Sequence, residues 1–134
     1  MTAYQALLGF TAWTLLLVLG VFLYRGVRFL SGTPINSWPR GAKLAEDPGV
    51  IKRIEDAHAN SLENLPIFAV IVLVAGGMGK LGAINELAMY VLYARIGQSL
   101  AHVSGGGKIN VLIRATFWSV QLALFIWMLS KLCC

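Results

Sequence analysis

Polar and ionisable side chains recur at helical spacing inside two otherwise apolar stretches of this 134-residue chain. The first stripe has successive members three, four, three and one residues apart: Arg53, Asp56, Asn60, Glu63 and Asn64. The second has members three, one and three residues apart: Arg95, Gln98, Ser99 and His102. At about 100° per residue, each stripe occupies one face of a helix. Both helices therefore carry a polar face that needs a partner.

An ionisable group at membrane depth costs about 2.5–3.5 kcal/mol on insertion scales, so such a group indicates function. We expect the two stripes to meet in a polar pocket that opens towards the cytoplasm. Glu63 and Arg95 are the predicted ion pair, because each is otherwise an uncompensated charge in a medium of low dielectric constant. Guanidinium and amide groups suit an anionic ligand that carries carboxylates. The alternative is that the stripes only hold the helices together.

The elements that position these stripes are long apolar segments. Hydrophobic residues form 57% of the chain and charged residues 13%, against about 25% charged in soluble domains. A spanning helix needs about 20 apolar residues, and four stretches of that kind are present. The predicted fold is all-α, one domain over 1–134, a four-transmembrane-helix bundle. Its spans are predicted at about 4–24, 57–76, 81–103 and 109–132.

The start of the second helix and the intervening turns have local signals. Asp47 before Pro48 predicts an N-cap followed by a first helical proline. A helix from Pro48 to about Val74 is longer than the hydrocarbon core, so it should protrude. Turn chemistry is present at 31–34 and 38–41.

Basic residues predict the orientation. The first and third loops with their flanks hold Arg25, Arg28, Arg40, Lys43, Lys52, Arg53, Lys108 and Arg114. Only Lys80 and Lys131 fall on the other side, which predicts both termini outside the cytoplasm. The net charge of +5 then indicates a cytoplasmic face and anionic lipid rather than nucleic acid. The short chain with compact loops favours a bacterial inner membrane.

Other chemistries lack their motifs. His58 and Glu63 do not form H-E-x-x-H, and no other metal-ligand spacing is present. The chain has no G-x-S-x-G, and the glycines at 105–107 indicate a turn rather than a phosphate loop. Cys133 and Cys134 are adjacent, so they do not form a framework of spaced disulfide pairs. They are interpreted as an incidental tail, with a free thiol, lipidation or metal binding as alternatives.

The segment 53–68 resembles a family signature. The matching residues are Arg53, Ala57, His58, Asn60, Glu63, Asn64, Pro66 and Phe68. In this motif, and in the four-span layout over nearly the whole chain, the sequence resembles the membrane-associated proteins in eicosanoid and glutathione metabolism. That family includes microsomal glutathione transferases and prostaglandin E synthase. The resemblance implies a homotrimer that binds glutathione at its subunit interfaces, near the cytoplasmic side.

The resemblance also implies roles for individual residues. The set expected to hold glutathione, with Gln98 added from the same helix face as Arg95, is Arg28, Arg53, His58, Asn60, Glu63, Arg95 and Gln98. Arg114 resembles the family arginine that activates the glutathione thiolate, since a nearby guanidinium favours the charged sulfur. Two positions depart from the family: Asp56 replaces an arginine, and His102 replaces a tyrosine. Asp56 is expected to accept from the glutathione amino group or to pair with Arg53.

The predicted function is that of a membrane-bound glutathione transferase or peroxidase acting on lipophilic electrophiles. Arg114 and His102 are the predicted catalytic residues, with His102 donating to the sulfur or to the leaving group, or else serving only in helix packing. Glutathione is the co-substrate, and the other partners are membrane lipids and a lipophilic small molecule. Two alternatives stay open: a non-catalytic scaffold or accessory subunit of the same fold, and a lipid- or quinone-binding protein.

Overall fold

The computed structural model describes residues 2–37 and 47–133. Its four long helices are α1 (Ala3–Leu30), α2 (Gly49–Gly77), α3 (Leu81–Ser104) and α4 (Lys108–Cys133). A single 3-10 turn at Ile35–Ser37 follows α1. The predicted all-α bundle is therefore confirmed. The predicted turn at 38–41, like Arg40, Lys43 and Cys134, lies outside the described residues.

Glycines in the left-handed region end the first two helices. Gly32 has φ +108° and Gly79 has φ +70°, a conformation that only glycine adopts without strain. After each of them the chain turns back, so that Thr33 N–H donates to the Arg28 carbonyl (3.0 Å) and Lys80 N–H to the Ala75 carbonyl (2.9 Å). Both ends are Schellman motifs, which satisfy carbonyls left without a partner at a helix terminus.

Two helices begin or end at residues other than the limits read from the sequence. The first helix continues six residues past Tyr24, because the basic side chains there lie near its C-terminus, where positive charge is favourable. The second helix begins at Gly49, and neither Asp47 nor Pro48 supplies a side-chain cap. Asp47 is instead buried and accepts a hydrogen bond from the Tyr24 hydroxyl at 2.8 Å. This contact fastens the start of α2 to α1.

Three helices, α1, α2 and α4, are long and apolar enough to cross a membrane. The third predicted span, α3, is of spanning length at 24 residues but is less apolar. The polar residues in its second half turn inward, since Arg95, Gln98 and His102 are all buried. These three side chains are therefore not exposed to lipid, although Glu86 near the start of the helix is exposed.

Contacts at both ends show that the helices run alternately up and down. At one end, Ala3 N–H donates to Asn85 Oδ1 (2.8 Å) and Lys80 Nζ donates to the Leu132 carbonyl (3.3 Å). At the other end, Arg53 Nε donates to the Val103 carbonyl (2.8 Å). The polar stripes of α2 and α3 therefore lie in the same half of the bundle, near the start of α4.

Packing of α3 on α4 depends on a close approach at Gly97, and this gives a testable prediction. A Cβ at Gly97 would lie 2.8 Å from Phe117 Cζ, whereas a Cβ at Gly82 would meet no described atom within 4 Å. We expect Gly82→Ala to be neutral or to stabilise the fold by up to about 1 kcal/mol through helix propensity. Gly97→Ala should be about 1–3 kcal/mol less stable than Gly82→Ala through overpacking. Unfolding of the two variants in detergent, followed by circular dichroism, checks this; equal stability would contradict it.

Candidate functional site

The polar faces of α2, α3 and α4 border an open cavity of about 390 Å³. We call it the central cavity, and its lining residues are Asp56, Asn60, Gln98, His102, Val111, Arg114, Ala115 and Trp118. Three helices thus contribute one charged or ionisable group each: a carboxylate from α2, an imidazole from α3 and a guanidinium from α4. His102 lies within electrostatic reach of both Asp56 and Arg114. The cavity combines both signs of charge with amide groups and an apolar wall.

A ring of hydrogen bonds lies behind one wall of the cavity. Arg95 Nε donates to Gln121 Oε1 (3.1 Å), and Gln121 Nε2 donates to Gln98 Oε1 (2.6 Å). Gln98 Nε2 and Arg95 Nη1 both donate to Asn60 Oδ1, at 3.2 and 2.9 Å. We call these four residues the amide ring. It joins α2, α3 and α4 through groups that otherwise carry a large desolvation cost.

The predicted ion pair between Glu63 and Arg95 was wrong. Glu63 is exposed, and in the described part of the chain no carboxylate oxygen lies within 4.0 Å of the Arg95 guanidinium. Arg95 is 1% exposed and uses the amide oxygens of Asn60 and Gln121 instead. Helical periodicity identified the two polar faces correctly but did not identify which side chains meet.

The central cavity brings together four of the predicted site residues, namely Asn60, Gln98, His102 and Arg114. A fifth, Arg95, is part of the amide ring and does not line the cavity.

The remaining predicted residues lie elsewhere in the single chain. Arg28 donates to the Tyr24 hydroxyl (3.1 Å) and to Thr33 Oγ1 (3.2 Å) near the end of α1. Arg53 is directed to the Val103 carbonyl. His58 lines a separate cavity of about 200 Å³ between α1 and α2, together with Arg25 and Glu55.

Sequence reasoning missed two residues that this arrangement uses. Trp118 lines the cavity and Gln121 closes the amide ring. They follow Arg114 by four and seven residues, intervals that place all three on one face of α4. The spacing was therefore a usable signal. Asp56, which belongs to the first polar stripe and was expected to accept from the glutathione amino group or to pair with Arg53, lines the cavity.

Comparison with protein families decides the relationship of this chain. The sequence model of the MAPEG family, the membrane-associated proteins in eicosanoid and glutathione metabolism, matches residues 3–133, nearly the whole length. The chain belongs to the MAPEG family. As a MAPEG protein it is a helical membrane bundle of a family associated with glutathione and eicosanoid metabolism. No individual curated protein matches the chain.

Among residues 2–37 and 47–133, no group of three or more His, Cys, Asp or Glu side chains is placed to hold a metal ion. The central cavity instead offers Arg114 as a cation, Asp56 as an anion and the amides of Asn60 and Gln98. These groups match a ligand that carries both carboxylates and an ammonium group.

Proposed function

We propose that this MAPEG protein binds glutathione in the central cavity and transfers it to lipophilic electrophiles, or uses it to reduce lipophilic peroxides. The observation that carries the proposal is the convergence of Arg114, His102 and Asp56, from three helices, on one cavity. In a family associated with glutathione metabolism, this set supplies a group for the thiolate and a group for the ammonium of the ligand.

In the proposed chemistry Arg114 stabilises the thiolate, since a guanidinium beside the sulfur favours its charged form. For conjugation, the thiol loses its proton, the thiolate forms a carbon–sulfur bond, and the leaving group departs with its electron pair. For reduction, the thiolate takes one peroxide oxygen to give a sulfenic acid, and the other oxygen leaves as the alcohol after taking up a proton. A second glutathione then forms the disulfide and releases water. His102 is the proposed donor to the sulfur or to the leaving group.

The proposed second substrate comes from the bilayer. Val111 and Trp118 form an apolar part of the cavity wall, and both are exposed at the surface of α4. Neighbouring apolar side chains on that helix, such as Ile109 and Leu112, are also largely exposed. In a membrane, this surface contacts lipid, so a lipophilic molecule reaches the cavity without crossing water.

We further propose that the protein works as a homotrimer in a bacterial inner membrane, with both termini on the non-cytoplasmic side. Glu63 is exposed in the single chain, and Arg28 and His58 lie away from the central cavity. Sites at subunit interfaces would allow these residues to reach glutathione held by a neighbouring copy. Light scattering of the purified protein–detergent complex tests the trimer; a monomeric mass would leave Glu63, Arg28 and His58 outside the site.

A second candidate function is a non-catalytic MAPEG scaffold or accessory subunit. Asp56 favours it, because a carboxylate stands where the family pattern has an arginine that would attract the carboxylates of glutathione. A lipid- or quinone-binding protein is the third candidate, favoured by the apolar wall at Val111 and Trp118.

Consumption of glutathione by the purified protein separates these functions. The thiol is followed with an activated aryl halide in one assay and a lipophilic hydroperoxide in another. Protein-dependent consumption that requires the second substrate supports the proposal, and the product shows whether conjugation or reduction occurs. Absence of a saturable glutathione site would favour the scaffold, and absence of thiol consumption that depends on the second substrate would favour the lipid-binding protein.

A further inference from the structure

The guanidinium of Arg95 is buried in the bundle without a described counter-ion. Its side chain is 1% exposed, and its Nη2 atom has no hydrogen-bond partner among the described residues. Its carbon Cζ lies 5.4 Å from the centroid of the Phe10 ring, which adds a cation–π contact. Glu63 acts on it only from beyond ion-pair distance. A buried positive charge of this kind is costly unless an anion compensates it.

Arg95 also fixes the direction of every amide in the ring. A guanidinium only donates hydrogen bonds, so Gln121 and Asn60 must turn their oxygens towards it. The nitrogen of Gln121 then donates to the oxygen of Gln98, and the nitrogen of Gln98 donates to Asn60 Oδ1. The Asn60 oxygen accepts two hydrogen bonds in this way, which leaves its Nδ2 group as the donor available to the cavity.

The cavity wall formed by Asn60 and Gln98 therefore carries a donor surface with a positive charge directly behind it. A neutral amide can present either its oxygen or its nitrogen to a cavity. In this ring the oxygens of Asn60 and Gln98 already accept hydrogen bonds, so only their nitrogens can donate to a ligand. Anions are the ligands that such a surface recognises. Arg114 lies on α4 and is proposed to stabilise the thiolate. The anion beside Asn60 and Gln98 is therefore a carboxylate of the ligand.

We propose that Arg95 is a positioning residue that supplies the buried counter-charge for a glutathione carboxylate, acting through Asn60 and Gln98 without touching the ligand. This proposal rests on the proposed glutathione site. It explains why a charge is kept in the apolar core without an ion-paired carboxylate among the described residues. It also accounts for Gln121, whose only described hydrogen bonds to side chains are to Arg95 and Gln98.

The test compares the binding of two ligands to two proteins, as in a double-mutant cycle. Glutathione and its diethyl ester, in which neither carboxylate is charged, are titrated calorimetrically into the full-length protein and into Arg95→Gln. Esterification should weaken binding to the wild-type protein. In Arg95→Gln, glutathione should bind roughly tenfold more weakly while the ester changes little. A purely structural role would weaken both ligands equally, so the ratio of their dissociation constants is the informative quantity.

Three further variants distinguish an effect of the Arg95 charge from a general loss of folding. Arg95→Lys retains the charge and should restore most of the preference for glutathione over the ester. Gln121→Glu places a carboxylate beside Arg95 and removes the donor to Gln98 Oε1, so it should reduce the preference for glutathione over the ester. Ser99→Ala is the matched control, because Ser99 is buried on α3 and its hydroxyl makes no hydrogen bond to the ring; its preference should equal that of the wild-type protein.

The outcomes separate this inference from the proposed function. If the wild-type protein binds glutathione but Arg95→Gln and Gln121→Glu keep the wild-type ratio, the role of Arg95 is refuted and the glutathione site stands. Equal losses for both ligands also refute it, since they indicate a structural role. If the wild-type protein binds neither ligand, the glutathione proposal fails and this one fails with it.

Discussion

Replacing Arg114 by alanine should lower the rate of glutathione conjugation by about 10²- to 10³-fold. That is the usual loss when one group that stabilises developing or transferred charge is removed from a preorganised site. The guanidinium lines the central cavity together with His102, where the thiolate would otherwise face an apolar wall. The turnover number with an activated aryl halide, measured at saturating glutathione, reports this loss.

Two further variants define what the Arg114 result means. Arg114→Lys should recover part of the rate, because it retains a positive charge but not the planar set of donors. Lys131→Ala removes a positive charge from the opposite end of the same helix, where its Nζ donates to the Ala83 carbonyl, and should leave the rate unchanged. A wild-type rate in Arg114→Ala would show that another group stabilises the thiolate.

Replacing Phe68 by alanine should destabilise the bundle by about 3–5 kcal/mol, the range for truncating a buried aromatic side chain. Phe68 is fully buried in α2, and its ring lies between those of Phe10 on α1 (5.3 Å between centroids) and Phe125 on α4 (6.0 Å). Its loss therefore opens a cavity at the point where three helices meet.

Unfolding in a denaturing detergent, followed by circular dichroism, measures the Phe68 effect. Ile67→Ala is the control on the same helix, since Ile67 is 44% exposed and faces outward; it should cost less than about 1 kcal/mol because the truncated side chain is replaced by lipid or detergent. Similar losses for Phe68→Ala and Ile67→Ala would contradict the packing described here.

The sequence predicted the helices well because their signals are local. Apolar length, the Gly79 turn and the glycines at 105–107 all act within a few residues, and α2, α3 and α4 end within three residues of their predicted C-terminal limits. The first span was predicted to end at Tyr24, before the basic residues, and helix α1 continues six residues beyond it because a helix C-terminus accommodates positive charge. Similarly, Asp47 has the residue type of an N-cap but forms a long-range contact with Tyr24.

The site was predicted only in part, for a physical reason. Periodicity shows on which face of a helix a residue lies. It does not show how that helix is rotated about its axis, or shifted along it, relative to a neighbouring helix. Arg95 lies on the predicted inward face but meets Gln121 from α4, and Glu63 is exposed. Tertiary packing decides such pairings, and no spacing within one helix encodes them. The family resemblance, in contrast, predicted Arg114 as a site residue, and its side chain lines the central cavity.

Calorimetric titration of the detergent-purified protein with glutathione tests the central claim most directly. We expect saturable binding by the wild-type protein and loss or marked weakening of that binding in Arg114→Ala, with both proteins folded. Absence of saturable heat at glutathione concentrations up to the millimolar range would contradict the account. It would indicate that Asp56 and His102 have closed the cavity to glutathione and that this MAPEG protein serves as a scaffold or accessory subunit.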